Sequence, residues 1–355
     1  MRKTCRVTIN DQVFSAGRGD ILLEAARKDG IDIPYDCSSG HCGACRVRVL
    51  DGLAVGGECR EPGTVRACQS RIMSDLRLKV ETVPQIQRVM GRISEISRRA
   101  PDVVEVKIEP SEPIVYLPGQ FLRVQFRGFP TRCYNPTAPM EDILEPELLH
   151  LQVRQFERGQ VSPAIGSDIR VGHRVRLQGP FGSAFLRPAS KSRLVLIANN
   201  TGFAPVWSVA VAAIRENQRR EIVIVAGAHS LPSLYMVKAL CMMARFPNVT
   251  IIPVVETPQR VPDVIRVGKV TDYIPKLSSE DSVHVCGTLA LVEAVRHLAA
   301  EADAPCYCVP FAPQHGDQDA LETPNRREGT LARALDWLNG GGGQHGARQG
   351  REGAN

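Results

Sequence analysis

The sequence lacks any apolar run long enough to cross a bilayer. Its longest nearly unbroken run, Phe203 to Ile214, falls far short of the ~20 residues a membrane helix needs, so no membrane partner is expected. The first residues lack the apolar core of a secretory signal, because Val7 and Ile9 alternate with polar neighbours as a strand does. A cytoplasmic location follows as the expectation. Dense Lys/Arg tracts with interleaved aromatics are also missing, and a formal charge of +6 is thin over 355 residues. Nucleic acid is therefore not expected as a partner. No internal repeat is present.

What is present is a chain of 355 residues, which at ~100–200 residues per domain predicts two or three domains. Hydrophobic residues at 43% and charged residues at 23% lie near the globular average, excluding wholesale disorder and a fibrous architecture. The cysteine count is 11. An odd number in a chain expected to stay in a reducing compartment fits thiols and metal ligands better than disulfides.

Periodicity divides the chain. Arg6 to Ile9 reads as a strand, Ile21 to Lys28 as a short helix with Asp20 as N-cap, and Arg46 to Leu50 as a strand ended by the turn Asp51-Gly52. Leu76 to Val80 alternates again, and Pro84 marks a linker. From Met90 to Leu186, short period-2 strands (Val103–Ile108, Phe121–Phe126, Leu149–Val153, Arg174–Leu177) predict a small antiparallel barrel. From Arg193, buried strands alternate with helices, predicting a parallel sheet flanked by helices. The expected class is multidomain: a β-grasp-like α+β unit at 1–84, an antiparallel β-barrel at 88–188 and an α/β parallel-sheet unit at 189–312. A Gly-, Gln- and Arg-rich tail at 313–355 is expected to be disordered, with Leu331, Leu335 and Leu338 on one helical face.

Five cysteines, Cys37, Cys42, Cys45, Cys59 and Cys68, crowd the first unit. Cys37, Cys42 and Cys45 stand in a C-x4-C-x2-C run with a remote fourth cysteine, the plant-type [2Fe–2S] arrangement. Three thiolates from one loop require a backbone wrapped tightly around the metal; Gly40 and Gly43 permit that, and Ser38, Ser39 and Ala44 let amides approach the sulfurs. Cys59 competes with Cys68 for the fourth place. Cys68 is preferred because it opens a structured segment, whereas Cys59 sits in the loop Gly56-Gly57-Glu58. A structural zinc would more usually take paired C-x2-C knuckles. From Ile21-Leu22-Leu23-Glu24-Ala25-Ala26 to Arg66-Ala67-Cys68-Gln69 the segment resembles the plant-type ferredoxin module. Photosynthetic-type soluble ferredoxins tend to be strongly acidic. Residues 1–83 instead hold 13 Lys/Arg and 11 Asp/Glu, which suits a ferredoxin fused to its reductase, since no long-range steering is then needed.

A flavin needs an aromatic against its ring, a cation at its pyrophosphate and a hydrogen bond at N5. Tyr134, Arg132 and Asn135 can supply these. Gly159 and Val161 precede Ser162, which opens a short helix suited to the other side of the pyrophosphate. These segments resemble the Arg-x-Tyr-Ser and Gly-x-x-Ser motifs of the ferredoxin–NADP+ reductase superfamily, with Asn135 in place of its Ser or Thr. Gly179-Pro180-Phe181-Gly182 matches that family's turn at the barrel end.

In the third unit the strand Leu194 to Ala198 leads through Asn199-Asn200-Thr201-Gly202 into a helix entered through Pro205. No G-x-G-x-x-G is present. Most members of the superfamily carry Gly-Gly-Thr-Gly at this turn. Asparagine tolerates left-handed backbone, yet its side chain intrudes where a dinucleotide would approach, which predicts weaker nicotinamide binding. Cys286-Gly287-Thr288 matches the family's Cys-Gly-Pro, implying that Cys286 lies beside the nicotinamide; a cysteine that merely packs is the other reading. His229 falls where the family holds the adenosine ribose. Neither a carboxylate nor an arginine stands in Gly227-Ala228-His229-Ser230, so NADH is favoured by resemblance alone and NADPH stays open. Tyr307 and Phe311 lie near the family's flavin-side aromatic, with core packing as the alternative.

Nicotinamide gives up two electrons as a hydride, a [2Fe–2S] cluster accepts one, and a flavin can do both. In this order of modules, roughly residues 5–311 resemble the reductase components of bacterial multicomponent oxygenases, particularly naphthalene-dioxygenase-type reductases. The resemblance implies an NADH-dependent reductase with Asn135 and Cys286 at the reacting centre, FAD and a [2Fe–2S] cluster as cofactors, and a ferredoxin or terminal aromatic-ring-hydroxylating oxygenase as partner. No Rieske motif and no paired Glu-x-x-His stand in the sequence, so oxygen is expected to be activated elsewhere. A di-iron monooxygenase or deoxysugar dehydrase system remains open as the destination. So does a carrier whose nicotinamide site is degenerate.

Overall fold

The computed structural model describes residues 3–35, 38–40, 43–59, 62–140, 147–187, 192–257 and 260–311. Cys37, Cys42 and the predicted tail with Leu331, Leu335 and Leu338 lie outside the described residues.

Alternation builds the first sheet. In β1 (Thr4–Ile9) Cys5, Val7 and Ile9 are buried and the residues between them are not. The chain returns through Asn10-Asp11, with Asn10 left-handed at φ 53°, into β2 (Gln12–Gly17), a strand outside those expected. Helix α1 (Leu22–Lys28) buries Leu22, Leu23, Ala25 and Ala26. Asp20 does not cap it: Ile21 holds the cap position without a side-chain bond, and Asp20 Oδ2 accepts from the Gly17 amide at 2.9 Å. Strand β3 (Arg46–Val55) runs straight through Asp51-Gly52, expected to be a turn. Its pairing slips there, Gly52 sits at φ 91°, and a Cβ would lie 1.9 Å from the Asp75 carbonyl, so the dipeptide makes a bulge. With β4 (Thr64–Arg66) and β5 (Arg71–Lys79) the order is β2-β1-β5-β3-β4, β1 and β5 running parallel in the β-grasp manner.

The second sheet holds β6 (Gln87–Ala100), β7 (Val103–Pro110), β8 (Phe121–Phe126), β9 (Arg132–Tyr134), β10 (Pro136–Thr137), β11 (Leu149–Arg154) and β12 (Arg174–Phe181). All its pairings are antiparallel, in the order β10-β11-β7-β6-β12-β8-β9. Its two edges, β9 and β10, are joined through Asn135, so the sheet is a nearly closed barrel. Phe126, Leu122, Ile93, Ile108 and Leu151 fill its interior. A charge is buried on the outer face of β7, on the side away from Val104 and Val106: burial opposes ionisation of Glu105, but bonds from His150 and Arg99 hold its carboxyl below the usual range.

The third sheet is parallel throughout, in the order β16-β15-β14-β13-β17-β18: β13 (Arg193–Asn199), β14 (Ile222–Ala228), β15 (Val249–Val255), β16 (Arg266–Val267), β17 (Asp281–Thr288) and β18 (Cys306–Phe311). Helices α2 (Phe203–Glu216) and α3 (Val237–Met243) cover one face and α4 (Leu289–Glu301) the other, which is why β13 is apolar on both sides. Strand order reverses between β13 and β17, opening a crevice at their carboxyl ends.

Burial leaves one titratable group poised. His284 on β17 lies against the Tyr307 ring at 4.8 Å, and burial, with Arg187 and Arg220 nearby, drops its pKa to about 3. A base depressed in the folded state binds its proton preferentially when unfolded. Its stability contribution is therefore intact above pH 6.5 and lost as the pH falls towards 3. Between pH 7.5 and 5 this amounts to about 2 kcal/mol. His284→Phe, which keeps the ring stacking, is expected to lose stability less steeply by that margin in denaturant titrations at the two pH values. Equal losses in both proteins would refute the assignment.

The three units also meet through polar contacts. Thr137 Oγ1 donates to the Ala204 carbonyl at 2.8 Å, Trp207 Nε1 to the Pro139 carbonyl at 3.1 Å, and the Tyr235 hydroxyl to Gln152 Oε1 at 2.6 Å. Arg187 Nε meets Glu81 at 2.7 Å, and Arg66 meets Asp303 at 3.3 Å. Among the described residues no helix is long and apolar enough to cross a membrane.

Candidate electron-transfer site

Of the four predicted cluster ligands, Cys45 and Cys68 are described, and both are buried. Their segments are tied together, since the Ala67 amide donates to the Cys45 carbonyl at 2.9 Å. The loop between the described ends turns on left-handed residues: Ser38 at φ 52°, Gly40 at 85° and Gly43 at 71°. A Cβ on Gly40 would come within 2.8 Å of the Gln69 side chain. Gln69, which motif spacing did not single out, sends Nε2 to Cys68 Sγ at 3.7 Å and to the Ser38 carbonyl at 3.4 Å, binding the loop to the fourth cysteine. An amide donor aimed at a buried sulfur suits a metal thiolate. Cys59 faces elsewhere: its Sγ points to the Gly57 carbonyl at 3.9 Å, and burial raises its thiol pKa against the pull of Arg46 and Arg66. A cleft of about 360 Å³ separates this loop from the end of α4, lined by Ser39, Gly40, Arg66, Gln69, Ala300 and Asp303.

In the barrel, Arg132, Tyr134 and Asn135 lie on and just after the edge strand β9, with Tyr134 opposite Leu122. Burial, against the partial opposition of Arg132, pushes the Tyr134 phenol well up, so it stays neutral. Arg132 Nη1 donates to the Thr131 carbonyl at 2.8 Å. Asn135 is buried, and its Nδ2 donates to the Gly119 and Gln120 carbonyls at 3.0 and 3.2 Å, which pins the β9–β10 junction to the loop before β8. Two carbonyl partners fix the amide orientation. The predicted helix at Ser162 is one 3-10 turn, Ser162–Ala164, too short for a substantial dipole. Ser162 Oγ accepts from the Phe156 amide at 3.1 Å, and a Cβ on Gly159 would fall 2.9 Å from that oxygen, so this glycine is what lets the loop close; Val161 is buried beneath it.

At the parallel sheet, Thr201 and Gly202 form the 3-10 turn entering α2, and Asn200 adopts the left-handed backbone an asparagine tolerates, φ 51°. Gly202 packs so closely on β17 that a Cβ would lie 2.2 Å from the Cys286 carbonyl. The turn and Cys286-Gly287 thus meet at the strand-order reversal. Cys286 is buried, and burial together with Cys308 keeps its thiol protonated. Thr288, which stands where the resembled motif has Pro, caps α4 by accepting from the Leu291 amide at 3.4 Å. Asn199 does not lean over the turn: its Nδ2 donates to Glu256 Oε1 at 2.9 Å. His229 is largely exposed, with Nδ1 at 3.8 Å from Glu256 Oε2. Tyr307 is packed between Arg187 and His284, while Phe311 at the end of β18 is open to solvent.

Barrel residues Ala138 and Met140 share one apolar cluster with Cys286, so the barrel edge and the crevice are packed as one body. Such an arrangement fits an oxidoreductase that couples a dinucleotide crevice to a flavin barrel. Family models agree along the chain: a 2Fe-2S iron-sulfur cluster binding domain over residues 4–73, an oxidoreductase FAD-binding domain over 92–185 and an oxidoreductase NAD-binding domain over 196–297. The chain belongs to the ferredoxin–NAD(P)+ reductase family in which these three domains are fused. It is 31% identical over 304 residues to the reductase component of the naphthalene 1,2-dioxygenase/salicylate 5-hydroxylase systems of a Ralstonia species, covering 81% of this chain and 91% of that one. The corresponding reductase of the Pseudomonas putida naphthalene system is 28% identical, over 81% and 90% of the two chains. Among solved structures, the Amycolatopsis cytochrome P450 reductase GcoB superposes with a TM-score of 0.61 at 25% identity, over 87% of this chain and 99% of that one. The protein is an NAD(P)H-dependent oxidoreductase that uses FAD and a [2Fe–2S] cluster.

Proposed function

We propose that this chain is the reductase of an aromatic-ring-hydroxylating oxygenase system, drawing electrons from NADH and delivering them singly to a ferredoxin or to the terminal oxygenase. When bound, FAD accepts a hydride and releases single electrons, and the cluster carries one electron at a time. Cys37, Cys42, Cys45 and Cys68 are the cluster ligands in this reading. Arg132 and the Gly159–Ser162 loop hold the FAD pyrophosphate and Tyr134 lies along the ring, while Asn135, whose two amide N–H groups are taken up by the Gly119 and Gln120 carbonyls, positions the strand junction beside the ring and does not donate to its reactive edge. Thr201 and Gly202 receive the dinucleotide pyrophosphate, while Cys286 and Gly287 floor the nicotinamide pocket with an uncharged surface.

The observation that carries this reading is the packing of the barrel edge against the crevice, with Thr137 bonded to Ala204 and Ala138 clustered with Cys286. A hydride donor and its acceptor must be held within a few tenths of an ångström of a productive approach, and a shared core does that. Replacing Cys286 with alanine is accordingly expected to slow flavin reduction by NADH about tenfold while FAD stays bound; an unchanged rate in stopped-flow returns this thiol to simple packing.

The destination is tested by mixing the holoenzyme and NADH anaerobically with a Rieske-type ferredoxin. Reduction of that ferredoxin in preference to a flavodoxin supports the assignment. Electrons that pass neither to that ferredoxin nor to a Rieske-type terminal oxygenase offered in its place contradict it.

A further inference from the structure

The Asn199–Glu256 pair lies on the half of the crevice that the nicotinamide does not use. Dinucleotides cross open parallel sheets at the carboxyl ends of the strands where the order reverses, with the pyrophosphate at the intervening helix entrance. Here Cys286 lies on the β17 side of that reversal, so the adenosine half runs the other way, over the ends of β14 and β15. Those ends are held together past the strands: the Glu256 amide donates to the Ala228 carbonyl at 3.1 Å, and the Thr257 amide and hydroxyl both donate to the His229 carbonyl, at 2.9 and 2.7 Å.

Glu256 therefore has a fixed backbone. Its side chain is held as well, because Asn199 Nδ2 at the end of β13 donates to Oε1 at 2.9 Å. The second carboxylate oxygen faces His229, and the residue keeps 38% exposure. Asn199 is itself more than nine-tenths buried, and its Oδ1 has no partner.

We infer that Glu256, positioned by Asn199 and flanked by His229, binds the adenosine ribose hydroxyls and selects NADH over NADPH. The inference rests on the function proposed above. An ionised carboxylate offers only acceptors, which match the 2′- and 3′-hydroxyl donors of NADH. The same charge repels the 2′-phosphate of NADPH, and the ribose partner that β14 lacks in Gly227-Ala228-His229-Ser230 is thereby supplied from β15. The asparagine at the first position of the turn ceases to be an obstruction and becomes the residue that aims the carboxylate.

The test is equilibrium binding of NAD+ and NADP+ to the oxidised, FAD- and cluster-loaded holoenzyme, followed by calorimetry. Wild type is expected to prefer NAD+. Glu256→Gln should weaken NAD+ and narrow the preference by about tenfold, losing a charge-assisted bond and a repulsion together. Asn199→Gly should narrow it in the same direction by a smaller factor, with flavin and cluster absorption unchanged in both variants. An unchanged ratio in Glu256→Gln overturns the inference alone. So does a wild-type preference for NADP+. Failure of wild type to bind either dinucleotide overturns the proposed function as well, so the two failures are distinguishable.

Discussion

Cys68→Ser is expected to lose its cluster iron and the associated visible absorption, while flavin reduction by NADH persists. Cys45 and Cys68 are brought together by the Ala67–Cys45 backbone bond, and Gln69 directs an amide N–H at the Cys68 sulfur. A hydroxyl is a far poorer ligand than a thiolate for iron held by sulfur, so one substitution dismantles the site. The barrel and crevice share a separate apolar core and are not involved. Reduction of cytochrome c, which takes electrons singly, should fall with the cluster, whereas ferricyanide, which can draw on the flavin directly, should still be reduced. Cys59→Ser is expected to keep its iron, because its sulfur is turned towards Gly57 and Arg46. Iron lost in Cys59→Ser and retained in Cys68→Ser would reverse the ligand assignment.

Gly202→Ala is expected to cut the rate of flavin reduction by NADH about a hundredfold, the effect of misplacing reacting groups by around 1 Å. The added Cβ would stand 2.2 Å from the Cys286 carbonyl and 3.1 Å from the Gly287 amide. Backbone must therefore move at the one place where the turn entering α2 and the end of β17 meet. The cluster and FAD lie on other sheets and should be retained at wild-type stoichiometry. Stopped-flow spectroscopy separates the outcomes: a rate near wild type would mean that this crevice is not where the nicotinamide reacts.

How far the sequence could be read depended on whether a feature was local. The C-x4-C-x2-C run, the Arg132–Asn135 edge and the turn before α2 are contiguous, so spacing alone displayed them. In the third sheet β13 and β14 were legible because each is apolar on both faces, whereas the exposed two-residue edge strand β16 was not among those expected. Strand β6 was not, since bulges near Ser94 and Arg99 shift its inward side from Val89 and Ile93 and break the alternation. Strand β2 had a usable signal, Asn10-Asp11 between two alternating stretches, the chemistry of a two-residue hairpin. Asp51-Gly52 misled in the opposite direction, because a bulge and a turn ask for the same residues.

The polar contacts that tune the site were the least visible. Asn199 and Glu256 are 57 residues apart, and Asn135 meets Gly119 and Gln120 from the far edge of the barrel. Read linearly, an asparagine in place of glycine suggested an obstructed turn. The folded chain turns its side chain towards β15 and leaves the backbone of Thr201 and Gly202 at the crevice. Gln69 carried a weak signal as the residue after the fourth cysteine, where a donor to sulfur is useful.

The central claim is that electron pairs enter this chain as hydride and leave it as single electrons. Anaerobic titration of the holoenzyme with NADH tests it most directly. FAD holds two electrons and the cluster one, so flavin and cluster absorption should bleach together and reach their end point at about 1.5 equivalents of NADH per chain. An end point at one equivalent with the cluster still oxidised, or a spectrum that NADH leaves unchanged, would contradict the account.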